Sequence, residues 1–275
     1  MAAAKKVPAS SLFVSEPNPR WFGNRENEAG NARWTNANWL KSRFHFSFAE
    51  YSDRRRDSFG CLRVLNDDLV QPMRGFGKHP HRNMEIVTYV VEGALTHKDS
   101  TGTEETLRRG AIQFMTAGTG VYHSEHNMSA DSPLRFIQMW IEPRRLGLPP
   151  NYGSYESSRE ERANRWAHLV GSVGDNGAQG VPVAVHQDVN LYVCELEGEG
   201  EELPAYPLKR GRQAYLLCME GEVEVQSRDG DGKDGDAVAL ARHDACQLFG
   251  EREVALALTP SGGNAHVLML EMRKR

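Results

Sequence analysis

Helical periodicity is almost absent from this chain, and its scarcity limits the fold more than any other feature. In its place stand short runs of alternating or β-branched residues cut by Gly, Asp and Asn. Examples are Arg43-Phe44-His45-Phe46-Ser47-Phe48, Glu85-Ile86-Val87-Thr88-Tyr89-Val90-Val91, Leu134-Arg135-Phe136-Ile137-Gln138-Met139-Trp140 and Ala265-His266-Val267-Leu268-Met269-Leu270. Strands spaced in this way by turn signals predict an all-β barrel or sandwich. One stretch departs from the pattern. From Glu142 to Gly180 the chain is polar and rich in Pro, Gly, Ser and Arg, with Pro149-Pro150 and room for a short helix around Ser157–Trp166. It reads as an interdomain connection. The expected division is a domain at 1–145, a linker at 146–184 and a second domain at 185–275, which suits a length of 275 residues.

A weak internal repeat spans that connection. Tyr89-Val90-Val91-Glu92-Gly93 is followed 17 residues later by Gly110, and Tyr215-Leu216-Leu217-Cys218-Met219-Glu220-Gly221 is followed 14 residues later by Gly235. In each half a strand ends in Glu-Gly, a polar hairpin follows, and a glycine opens the next strand. Two related β-domains are expected.

Composition narrows the class of function. A formal net charge of −4 argues against a direct nucleic-acid binder or an anionic-membrane binder, whose affinity comes from excess positive charge. Arg54-Arg55-Arg56 is flanked by Asp53 and Asp57 and reads as solvated surface. Cys61, Cys194, Cys218 and Cys246 form no CxxC pair and read as reduced, mostly buried thiols. No stretch approaches the roughly 20 apolar residues of a membrane helix, and the first residues lack a signal-peptide core. The expectation is an intracellular protein: cytoplasmic, or nuclear in a eukaryote.

The chemistry lies in two segments. In GFGKHPHRNMEIVTYVVEG, His79 and His81 at i and i+2 project from one face of a strand, about 6.6 Å apart along the chain. Pro80 between them cannot donate to a ladder, which puts the pair at a strand start or edge. In GAIQFMTAGTGVYHSEHN, His123 and Glu125 form a second same-face pair behind a Gly-rich turn. Two such pairs on adjacent strands bring three imidazoles and a carboxylate to one point, which is a metal site. One HxH pair among ten histidines is an ordinary accident; a second pair one hairpin downstream is not. Glu85 shares the face of His81 but lies four residues on, about 13 Å along an uninterrupted strand, so Glu125 is the better carboxylate. Such a set, without thiolate, suits Fe(II), Mn, Ni, Co, Cu(II) or Zn. Four protein ligands on an octahedral ion leave two positions open, which favours catalysis over a closed structural zinc.

These segments resemble the cupin superfamily. His79, His81, Glu85 and Gly93 match its first pattern, and Gly110, Gly118, His123 and Asn127 its second. More narrowly, WLKSRFHFSFAEY, HPHRNMEIVTYVVEG, HKDSTG and QFMTAGTGVYHSE resemble the pirin family, above all its bacterial quercetinase-like branch. VHQDVNLY at 185–192 is similar to that branch's entry into its second domain. The specific motifs cover 34–145, and the remainder is similar only loosely. The resemblance implies two cupin-type β-barrel (jelly-roll) domains and iron as the usual metal. It also implies that the ligand carboxylate is the Glu two residues after the third His, Glu125 here. It further implies quercetin 2,3-dioxygenase activity, in which O2 opens a flavonol ring with release of CO. Glu125, the one carboxylate that the spacing places within reach, is the expected acceptor of the flavonol proton. The rival expectation, from eukaryotic pirins, is a redox-sensing regulator whose iron alters a surface for a transcription factor or other protein partner. An enzyme needs an aryl-sized apolar cavity at the metal; a switch needs an exposed patch.

The other histidines read more plainly. His126 alternates to the opposite face from Glu125, and His45, opposite the Phe44, Phe46 and Phe48 stripe, has room to approach the site but reads as an ordinary hydrogen-bonded histidine. His97, in an expected turn, is structural, as are His168, His186, His243 and His266. Spacing carried across the repeat lands on Pro207-Leu208-Lys209 for the HxH pair and on Leu248 for His123. The second domain is therefore expected to be degenerate, without metal.

Overall fold

The computed structural model describes residues 4–25, 39–174, 180–198, 203, 205–229, 234–250, 254–260 and 263–274. In chain order the strands are β1 (Ala4–Val7), β2 (Phe13–Ser15), β3 (Leu40–Phe44), β4 (Leu62–Val70), β5 (Arg74–His81), β6 (Glu85–Glu92), β7 (Ala94–Asp99), β8 (Glu104–Arg108), β9 (Ala111–Thr116), β10 (Val121–Asn127), β11 (Leu134–Ile141) and β12 (Asn151–Glu156). After one helical turn, α1 (Arg159–Arg162), come β13 (Ala167–Ser172), β14 (Val183–Val185), β15 (Val189–Leu196), β16 (Tyr206–Leu208), β17 (Arg212–Glu220), β18 (Glu222–Asp229), β19 (Asp234–Ala241), β20 (Ala245–Phe249), β21 (Val254–Pro260) and β22 (Ala265–Arg273). The fold is all-β, as the scarcity of helical periodicity predicts. Among the described residues, no helix is long and apolar enough to cross a membrane.

The chain divides into two compact units, Phe13–Glu156 and Met1–Leu12 with Ser157–Arg275. The first unit has a seven-stranded sheet, β12-β9-β6-β11-β4-β3-β2, and a four-stranded sheet, β5-β10-β7-β8. The second repeats the plan as β1-β20-β17-β22-β15-β13-β14 and β16-β21-β18-β19. Stretch 146–184 carries β12, α1, β13 and β14, and the boundary between units falls at Glu156 and Ser157. Its polarity has a local cause: β12 and β14 are edge strands, and β12 has no buried residue. The helix is a single turn, started by a capping box in which Ser158 and Glu161 satisfy each other's backbone N–H groups.

The matching strand orders make the repeat physical. Gly93, at φ +78°, ends β6 where an added Cβ would lie 2.3 Å from Pro133 O; Gly221, at φ +71°, ends β17 where it would lie 2.0 Å from Asn264 O. Both turns need a left-handed residue pressed against the strand that follows in the fold. The second anchor differs from the expectation. Gly110, at φ +84°, opens β9 with its N–H on Val90 O. Its counterpart is not Gly235, which lies inside β19, but His243 before β20, at φ +73° with its N–H on Cys218 O. A histidine fills the left-handed position, so a search for glycine finds the wrong turn.

Each unit buries its own core. Trp39, Val90, Leu95, Leu134 and Phe136 pack together in the first, and Leu216, Val223, Leu248, Val267 and Met269 in the second. All four cysteines are buried thiols outside any disulfide. Burial pushes the thiols of Cys194 and Cys246 up to about 12, so they act as small apolar side chains.

Candidate metal centre

Adjacent antiparallel strands β5 and β10 bring the histidines together. His79 stands directly opposite His123, and His81 opposite Val121. β5 is an edge strand, the place in a sheet where a proline such as Pro80 is tolerated. The three rings lie 4.5, 4.7 and 4.8 Å apart, centroid to centroid. His79 Nδ1 donates to Gly77 O at 2.8 Å, which leaves its Nε2 as a lone pair. That Nε2 faces His123 Nε2 at 3.0 Å, and His81 Nε2 is buried with no hydrogen-bond partner. Burial first, and the neighbouring imidazoles second, push His81 down to about 3 and His123 down to about 2. At neutral pH these are uncharged donors with their nitrogens turned to one another. Such a cluster fits a divalent transition-metal ion.

Glu125, 2% exposed, sits past an irregularity in the β5–β10 register and stands opposite Phe76 on one side and His97 on the other. Its orientation comes from the facing sheet. Gln113 on β9, Thr88 on β6, Gln138 on β11 and Asn66 on β4 stand opposite one another in a single row across four strands. Gln113 Nε2 donates to Glu125 Oε1 at 3.1 Å, and Gln138 Nε2 donates to Oε2 at 3.0 Å. The Thr88 hydroxyl ties the amides together, donating to Gln138 Oε1 at 2.5 Å and accepting from Gln113 Nε2 at 3.1 Å. The Tyr152 hydroxyl rests against Gln113 Oε1 at 2.9 Å and against Glu105. The carboxylate is thus held by fixed amides, as a metal ligand needs from its surroundings.

One acid, Glu85, and one imidazole, His97, are buried in the same unit. Glu85 is fully buried, stands opposite Thr116, and does not line the cavity described below. His97 is the residue that sequence reasoning missed. It lies on β7 rather than in a turn, is fully buried, and stacks on Tyr152 at 4.6 Å with its ring 5.4 Å from that of His123. Its Nε2 meets Asp99 Oδ2 at 3.1 Å. Donor atoms of His97, His123 and Glu125 lie within 4.8 Å of one another, as do those of His79, His81 and His123. The turn in HKDSTG begins two residues later, where Asp99 Oδ1 accepts from Thr101 and Thr103. The period-2 alternation of buried Leu95, His97 and then Asp99 is the signal that marks the residue as inward-facing.

Among the described residues, a cavity of about 120 Å³ opens on this cluster. His79, His81 and Glu125 form part of its wall, while Phe22, Phe44, Phe48, Phe76 and Trp140 supply aromatic faces. Trp140 meets the His81 ring edge-on at 4.8 Å. Ser42, Asn66, Asp68 and Gln138 are polar points in a mainly apolar lining.

The second unit carries no such cluster among its described residues. The counterpart of β5 is β16, which holds Pro207 and Leu208 of the three positions the spacing reaches. The counterpart of β10 is β21, not β20, so Leu248 was reached from the misplaced glycine anchor. β16 and β21 read Tyr-Pro-Leu and Val-Ala-Leu-Ala-Leu-Thr-Pro, without a metal donor. His168 and His266 are satisfied by Asn190 and Glu220.

The sequence pattern of the family described as Pirin matches residues 26–141, and that described as the quercetinase C-terminal cupin domain matches 169–272. A Pseudomonas aeruginosa protein named as a candidate quercetin 2,3-dioxygenase is 41% identical over 203 residues, covering 74% of this chain and 85% of the relative. The quercetin 2,3-dioxygenase of Escherichia coli is 37% identical over 214 residues, covering 78% and 87%. The structure of the bacterial pirin YhhW of Escherichia coli in complex with nickel(II) superposes with a TM-score of 0.78, at 27% identity, over 99% of this chain and 100% of that one.

Proposed function

Because the chain belongs to the pirin family, we propose that it is a metal-dependent dioxygenase that opens the ring of a flavonol such as quercetin with O2 and releases CO. In this reading His79, His81, His123 and Glu125 hold one divalent ion, with iron as the first expectation. The ion supplies Lewis acidity and open coordination positions. The protein's own groups do the rest. The Gly77 carbonyl fixes the His79 tautomer, and burial keeps His81 and His123 uncharged. Gln113 and Gln138 orient Glu125 by donation, so its carboxylate oxygens remain acceptors for the proton of the flavonol 3-hydroxyl. Phe44, Phe48, Phe76 and Trp140 bind the flat rings and exclude water.

The observation that carries this reading is the aromatic cavity with His79, His81 and Glu125 in its wall. Anaerobic addition of quercetin to metal-loaded protein should change the metal's spectrum, and admission of O2 should release CO in step with quercetin loss. A fully metallated protein that gives neither response ends the proposal.

A further inference from the structure

The cavity has a second polar pole on the strand beyond Gln138. Asn66 and Asp68 lie two residues apart on β4 and so share the face that looks into the cavity. Asn66 stands between Phe44 and Gln138, and Asp68 between Ser42 and Phe136. Both are only 4% exposed. Asn66 Oδ1 has no hydrogen-bond partner, although a buried acceptor left unpaired destabilises a fold. Burial pushes the Asp68 carboxyl up to about 8; the charges of Asp67 and Glu125 add to this, and the Ser42 hydroxyl opposes it. At neutral pH Asp68 therefore presents an O–H donor. Its neighbour Asp67 faces the other way and is neutralised by Arg135, with both oxygens at 2.8 Å.

An unpaired acceptor beside a neutral acid, set in aromatic walls, matches one common group: a phenolic hydroxyl, which donates to the first and accepts from the second. β4 lies one strand spacing, about 4.8 Å, beyond the strand whose Gln138 touches Glu125. A ligand that reaches both places needs metal-binding oxygens at one end and a hydroxyl on a further ring position. We propose that Asn66 and Asp68 form a specificity subsite for a remote phenolic hydroxyl, so that the protein selects polyhydroxylated aryl substrates over ones bearing the chelating oxygens alone. This rests on the flavonol reading above and refines it.

The test compares quercetin with 3-hydroxyflavone, which keeps the chelating pair and lacks the other hydroxyls. Both are titrated anaerobically into metal-loaded protein, with the metal content of every variant measured. The wild-type protein should bind quercetin about tenfold or more tighter, equivalent to about 1.4 kcal/mol. Asn66→Leu and Asp68→Leu should each lose most of that advantage, leave 3-hydroxyflavone binding within about twofold, and keep full metal content. Asp68→Asn, which retains a donor, should keep most of the preference. Equal affinity for the two ligands in the wild-type protein overturns the subsite without recourse to any variant, as does an unchanged ratio in Asn66→Leu and Asp68→Leu. If neither ligand alters the metal's spectrum, the flavonol reading itself fails and the subsite with it, a result distinct from equal binding of both.

Discussion

At the scale of single residues, the proposed ligands and their supports make separable predictions. His79→Ala removes a donor whose ring is fixed by Gly77 and which stands opposite His123. It should lower bound metal at least tenfold in elemental analysis of purified protein, and Glu125→Gln should lower it too. Gln138→Leu leaves all four ligands in place but strips Glu125 Oε2 of its 3.0 Å donor and Thr88 of its acceptor. Loss of such an outer partner costs about 10–100-fold in metal affinity, readable by competition with a chelator. The titrating groups set opposite pH limbs for the metal-free protein. His81 and His123 have folded values depressed to about 3 and 2, so their contribution to stability is present above the unfolded value near 6.5 and is lost as pH falls through those folded values. Asp68 has a raised folded value near 8. Its contribution is full below the unfolded value near 4 and is lost as pH rises through 8. Asp68→Asn, which cannot ionise, should therefore gain more over wild type at pH 8 than at pH 5, by more than about 1 kcal/mol, in urea melts of the metal-free proteins. Equal gains at the two pH values would remove Asp68 as the source of the alkaline limb.

At the scale of elements, the site depends on how closely β5 and β10 approach. Gly75 on β5 stands opposite His126, and a Cβ there would meet Glu125 O at 2.3 Å and His126 Cα at 2.6 Å. These are backbone atoms, so Gly75→Ala must move one strand off the other and widen the gap between His79 and His123. The expected result is a folded protein, by circular dichroism, whose metal affinity falls about tenfold or more, because ligand geometry tolerates only small displacement. A variant that keeps wild-type affinity would mean that the strands can part without parting the ligands. The same dependence explains what the sequence could reveal. His79 and His81, or His123 and Glu125, are neighbours within one strand, and period-2 alternation suffices to pair them. The row of Gln113, Thr88, Gln138 and Asn66 is assembled from four strands, and its members meet only through register. Each shows in the sequence as a lone polar residue, or part of one short polar run, inside an otherwise apolar strand; nothing local says that the four are in line. His97 was hidden differently, because the turn residues of Asp99-Ser100-Thr101-Gly102 overshadow the strand that leads into them.

At the scale of the whole molecule, two units with the same strand order bear very different chemical loads. The second keeps the plan but fills it otherwise. Arg212 pairs with Glu271 and Asp188, Asn190 Nδ2 donates to Glu271 Oε2, and His168 joins Asn190. These are charges and amides that satisfy one another, unlike the first unit, where the His79 and His123 Nε2 atoms meet and His81 Nε2 has no hydrogen-bond partner. Duplication therefore does not imply two metals. The first unit does contain two overlapping groups of donors, but His97, His123 and Glu125 share two members with the proposed ligand set. One imidazole and one carboxylate already committed to an ion leave His97 as the one remaining member, its Nε2 held by Asp99. The chain should accordingly bind one equivalent of metal, with a single sharp endpoint in calorimetric titration of the metal-free protein. His79→Ala should abolish that endpoint, whereas His97→Gln should weaken it without changing the stoichiometry. An endpoint at two equivalents that falls to one in His97→Gln would instead assign His97 to an ion of its own.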